Sequence, residues 1–207
     1  MTPWLRILVM LMVGAGFGLG AGDAEASSTL DLLGVGWAKS DVTVLINAGR
    51  GISAQAIGDV ESAVADWNSV LEQVSGAPHL TLVRGVKTAD IVIHMKVGGG
   101  SVLGQTLPKT VTPFSCAQKS ASIQLSGRAF GQSFSTIGTR NVARHELGHA
   151  LGLGHSDGPI DLMYAAAESS EVFGETDVPV SPCDKDGLEA IYPLPAACAI
   201  PDSVSCR

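Results

Sequence analysis

One run of eleven residues constrains this chain more than any other: His145-Glu146-Leu147-Gly148-His149-Ala150-Leu151-Gly152-Leu153-Gly154-His155. Three of the chain's five histidines fall inside it. On a helix, residues four apart lie one turn apart on the same face, so His145 and His149 present two imidazoles side by side. Two neutral imidazole nitrogens on a rigid helix are good ligands for Zn²⁺. Glu146 projects beside them and can reach a metal-bound water. Gly152 lets the chain leave the helix abruptly, which swings His155 back as a third ligand. Three protein ligands leave a fourth position open, the arrangement of catalytic rather than structural zinc. The run therefore implies His145, His149 and His155 as metal ligands and Glu146 as a catalytic acid–base group. A zinc-bound but inactive binding module would keep the histidines and dispense with the glutamate, and Glu146 is present.

The residues around this run alternate between strand and helix patterns. Asp41 to Asn47 is β-branched and alternating, and Ala48-Gly49-Arg50-Gly51 turns the chain after it. Ser53 caps a long helix expected to reach Val74, because Val60, Ala63, Val64, Trp67, Leu71 and Val74 keep the spacing of one buried face. Further strands are expected at Leu80–Arg84, Asp90–Met95, Ser101–Leu107 and Ser122–Ser126. Helices follow at Thr136–Leu151, ending at Gly152 or Gly154, and at Asp184–Ile191, closed by Pro193. The expected architecture is one α/β (α+β) domain. In it a twisted mixed sheet of about five strands packs against the long helix, with the zinc-binding helix and a short C-terminal helix beside it.

The two ends of the chain place it in a cell. Arg6, the apolar run Ile7–Gly22 and the small-x-small Ala24-Glu25-Ala26 read as an export signal cleaved after Ala26. The alternative is a membrane-anchored form that retains this segment. Four cysteines, Cys116, Cys183, Cys198 and Cys206, lie beyond it and lack the C-x-x-C spacing of a zinc knuckle. An even number in an exported chain reads as two disulfides. Three pairings are possible, and the expected one joins Cys198 to Cys206 and Cys116 to Cys183. The divisions are then 1–26 signal, 27–36 linker, 37–193 catalytic domain and 194–207 Cys-bearing tail. A net charge of −7 and a pI near 5.1 exclude a general nucleic-acid binder. The six cations between Ile91 and Arg144 read as a solvated face. The product is expected to be a secreted monomer with no stable membrane partner once the signal is cleaved.

His145 to His155, followed at once by Ser156, resembles the zinc signature of the metzincin metalloproteases in its matrixin form. Leu162-Met163-Tyr164, eight residues further on, resembles the matrixin Met-turn, whose methionine forms an apolar floor under the metal. Trp37, Trp67, Ala89-Asp90-Ile91 and Asp186-Gly187-Leu188-Glu189-Ala190-Ile191-Tyr192 agree, so the resemblance spans residues 37 to 192. It implies a zinc-dependent endopeptidase whose protein or peptide substrate binds as an extended strand. The segment from Ser101 to Leu107 would receive that substrate, with Leu103, Gly104 and Tyr164 as substrate-binding residues.

The chain also departs from that pattern. No inhibitory cysteine motif stands between Ala26 and Trp37, and Ala165-Ala166-Ala167 replaces the usual Pro-x-Tyr after the Met-turn, which alters the wall of the specificity pocket. From Ile91 to Arg144 there is no Asp or Glu. One catalytic Zn²⁺ is therefore expected, without a structural zinc, and with less scope for Ca²⁺ than in typical matrixins. His79 and His94 read as a surface residue and a strand residue rather than ligands.

Overall fold

The computed structural model describes residues 28–98, 100–112, 114–167 and 169–206; the expected export signal lies outside them. In chain order the elements are β1 (Thr29–Leu32), β2 (Asp41–Ala48), α1 (Ala54–Leu71), β3 (His79–Val83) and β4 (Ile91–Lys96). Next come β5 (Gly104–Thr110), β6 (Gln118–Ser126), the small hairpin β7 (Arg128–Ala129) and β8 (Gln132–Ser133), and α2 (Thr136–Leu151). The chain closes with β9 (Leu153–Ser156), α3 (Ser169–Val172), α4 (Pro182–Ile191) and β10 (Ser203–Ser205). None of the described helices is long and apolar enough to cross a membrane.

Five strands form the expected mixed sheet in the order β3-β2-β4-β6-β5. The first four run parallel, and β5 runs antiparallel to β6. Helix α1 starts where Ser53 accepts a hydrogen bond from Ala56 N–H and lays Val60, Ala63, Val64, Trp67 and Leu71 into the core. It stops at Leu71, short of the expected Val74. Gln73 and Val74 donate to Val70 and Leu71, the tighter i→i+3 bonds that end a helix, and Gly76 follows at φ +74°. Helix α2 covers the expected span. Two buried tryptophans pin it from beneath: Trp37 Nε1 donates to Ala150 O (2.9 Å) and Trp67 Nε1 to Arg144 O (2.8 Å).

β5 begins at Gly104, later than expected, and continues through Pro108. A proline is tolerated in a strand only where its missing N–H faces away from a partner. The register satisfies that rule. Ser126 N–H donates to Leu103 O, so Leu103, Gln105, Leu107 and Lys109 face β6 while Gly104, Thr106 and Pro108 face the open edge.

A second sheet, β10-β1-β9, brings strands from the expected linker and tail together beside the zinc run. Thr29–Asp31 pairs with Ser203–Ser205, and Leu30 and Leu32 pair with Ser156 and Leu153. Strands of three or four residues are too short for alternation to register in a sequence. This sheet also overturns the expected cysteine pairing. The disulfides are Cys116–Cys198 (Cα–Cα 5.3 Å) and Cys183–Cys206 (Cα–Cα 4.9 Å). Extended β10 carries Cys206 away from Cys198 and sets it beside the first turn of α4, where Cys206 N–H donates to Ser28 O.

Candidate metal centre

The site is built where α2 ends. Ser135 caps the helix through Gly138 N–H, and Gly152 closes it at φ +108°. A Cβ at Gly152 would run into Val35 O, so this sharp exit needs glycine. The chain then turns straight into β9, which β1 holds in place, and β9 carries His155 back under the helix.

One nitrogen from each of His145, His149 and His155 lies within 4.8 Å of the others. Nδ1 of His145 donates to Leu162 O (2.7 Å) and Nδ1 of His149 donates to Leu153 O (2.9 Å). A carbonyl only accepts, so these bonds fix the proton on Nδ1 and leave a lone pair on Nε2. The Nε2 atoms of all three histidines are buried without a hydrogen-bond partner. Burial pushes the His145 pKa down to about 4, pushes His149 well below the usual imidazole range and lowers His155, so the imidazoles are neutral. Three converging, neutral, orphaned nitrogens fit a zinc ion, and among the described residues no group satisfies them.

Glu146 is fully buried beside this cluster. Its Oε2 accepts from Thr106 Oγ1 (2.5 Å), and its Oε1 has no partner. Burial raises its pKa to about 8 against the pull of the Thr106 hydroxyl. Met163, also fully buried, sits directly under the helix, because a Cβ at Gly148 would collide with its Sδ. Its carbonyl accepts from Ser156 N–H (2.9 Å), which ties this turn to β9.

An apolar cleft opens next to His145 and Glu146. Leu103 and Tyr164, two of the three expected substrate-binding residues, line it together with Val142, Ala167, Val172 and Val178. The third, Gly104, lies on β5 against the Glu146 side chain; a Cβ there would come within 2.6 Å of Glu146 Cγ. His79 opens β3 and is exposed, while His94 lies on β4 within 3.3 Å of Asn47 Nδ2, so neither joins the cluster. All four cysteines are in the two disulfides.

Sequence reasoning missed the residues that hold the cleft's far wall. Asn141 Nδ2 donates to Glu171 O and Thr176 O, and Asn141 Oδ1 accepts from Val178 N–H. Arg144 donates to Asp66, Asp177 and Val178 O. Arg140 binds Asp66 too, so these two cations belong to an ion-pair network and not to a solvated face. Burial raises the Asp66 pKa, but the two guanidinium partners outweigh it and hold the carboxyl below its usual value. The available signal was an arginine immediately before the first ligand, on a helix whose neighbours are apolar or ligating.

A family model described as matrixin matches residues 37–193. No curated protein matches the chain.

Proposed function

Because the chain belongs to the matrixin family, we propose that it is a secreted, zinc-dependent endopeptidase. The observation that carries this reading is the buried convergence of three orphaned imidazole nitrogens; Glu146, next in sequence to His145, keeps its own Oε1 buried and unpartnered. His145, His149 and His155 would hold the ion. When bound, zinc supplies Lewis-acid polarisation of a peptide carbonyl and acidifies water at the open position.

The protein's own groups do the rest. Glu146 Oε1 takes a proton from the attacking water as general base and returns it to the leaving amine nitrogen as general acid, so the peptide bond is cleaved with no net proton change at Glu146. An extended substrate adds to the open edge of β5, where the N–H and C=O groups of Gly104 and Thr106 face outward and Pro108 offers only its C=O. The cleft lined by Leu103, Val142, Tyr164 and Val172 receives a substrate side chain. Two disulfides and the segment 1–26 support export.

The test is cleavage of a peptide library by the purified, signal-free protein before and after chelation, with zinc then restored. Chelator-sensitive internal cleavage that returns with zinc is expected. Equal cleavage with and without the metal, or one zinc bound with no cleavage of any peptide, overturns the reading.

A further inference from the structure

We infer that Thr106 is the positioning residue for Glu146, holding one carboxylate oxygen so that the other alone handles the proton. This rests on the reading of Glu146 as the acid–base group, and assigns a role on a different strand. Thr106 lies on β5 with its side chain turned toward α2, and it is completely buried. A valine would fill the same volume and suit a strand equally well. The hydroxyl is therefore what needs an explanation. The hydroxyl is taken up by one residue: Oγ1 lies 2.5 Å from Glu146 Oε2 and 2.9 Å from Glu146 O.

The consequence is an asymmetry at the carboxylate. The terminal torsion of a glutamate is broad and nearly two-fold, so a free carboxylate presents either oxygen. Thr106 removes that freedom by donating to Oε2. Oε1 is left buried and unpartnered. A proton taken at Oε1 leaves the Thr106–Oε2 bond in place, so the group does not reorganise when its charge changes. Gly104, two residues earlier on the same face of β5, makes room for this placement, since a Cβ there would come within 2.7 Å of Glu146 Cδ. The same two residues present their backbone groups to the open edge of the sheet. The strand proposed to take the substrate is thus also the strand that aims the base.

The experiment compares Thr106→Val, Thr106→Ala and Thr106→Ser with the unmodified zinc-loaded protein and with Glu146→Gln. Bound zinc, kcat and KM on a cleaved peptide are measured for each. Expected for Thr106→Val is a fall in kcat of roughly 10- to 100-fold with KM within about twofold and one zinc still bound. Thr106→Ser, which restores the donor, should recover to within about threefold of the unmodified protein. Thr106→Ala should repeat the loss, and decides the matter if the valine variant fails to fold. An unchanged kcat in the variants without a hydroxyl, loss of zinc from them, or no recovery with serine overturns the assignment while Glu146 keeps its role. A Glu146→Gln protein with normal turnover overturns the underlying reading and this inference with it.

Discussion

Glu146 and Asp184 invite comparison, because burial treats them alike and only their neighbours differ. Both carboxylates are wholly inaccessible, and each has one oxygen held and one without a formed hydrogen bond. Burial raises both pKa values, to about 8 for Glu146 and about 6 for Asp184. Asp184 is the third residue of a capping box: its Oδ2 accepts from Ser181 N–H (2.7 Å), and Ser181 Oγ accepts from Asp184 N–H (3.1 Å). Its carboxyl also feels the charge of Asp161, which raises its pKa, and the backbone of Met163, which lowers it. The free oxygen of Glu146 belongs to a residue flanked by three lone-pair nitrogens. A perturbed carboxyl is thus a weak sign of chemistry by itself, and becomes a strong one beside groups that can hold a reaction partner.

The comparison breaks most sharply in activity. Glu146→Gln should lower kcat by about 10²-fold or more while zinc stays bound, because the amide cannot accept the proton. Asp184→Asn should leave hydrolysis within about threefold. Kinetics on both variants, with the metal content of each, checks the pair; a large catalytic loss in Asp184→Asn would erase the distinction.

For Asp184 the consequence of burial is read in stability. Below the ordinary value of 3.8 Asp184 is protonated in the folded and unfolded chain alike, and its burial as an ion costs nothing. Between there and about 6 the unfolded chain ionises while the folded chain keeps its proton, so this group's contribution to stability falls as pH rises. Above that window the full cost is present, on the order of 3 kcal/mol. Asp184→Asn keeps an acceptor for Ser181 N–H and removes the titration. Urea unfolding at a series of pH values should show the variant gaining on the unmodified protein between pH 4 and about 6; parallel curves would refute the assigned cause.

Two smaller changes sharpen the contrast. Met163→Leu conserves volume under the zinc helix, and should cost less than about 1.5 kcal/mol with the metal retained. Metal release on that change would point to ligation instead of packing. Ser181→Ala removes the capping hydroxyl of α4 and should cost about 1 kcal/mol in thermal melts without touching kcat.

The metal ligands were legible because their chemistry is local: two histidines one turn apart, and a third brought back by a glycine exit. The span of α2 was equally legible, from Thr136 to the glycine at its end. Thr106 was not, because a threonine in a strand reads as an ordinary strand former, and its partner lies forty residues away on another element. Asn141 and Arg144 escaped for the same reason, since their partners sit on segments 171–178 and on α1. The cysteine pairing depended on β10, a strand of three residues with no pattern of its own.

The sheet β10-β1-β9 has a consequence for the order of events in synthesis. The complete run His145–His155 has been made long before Ser203 exists, yet the strand bearing His155 pairs with β1, and β1 pairs with β10. A chain emerging amino-terminus first therefore carries all its metal ligands while the sheet that seats the third one still lacks a strand. Cys206, the residue after β10, then fastens that strand to α4. The last strand of the sheet that seats the third ligand is thus drawn from residues synthesised after everything needed to bind metal.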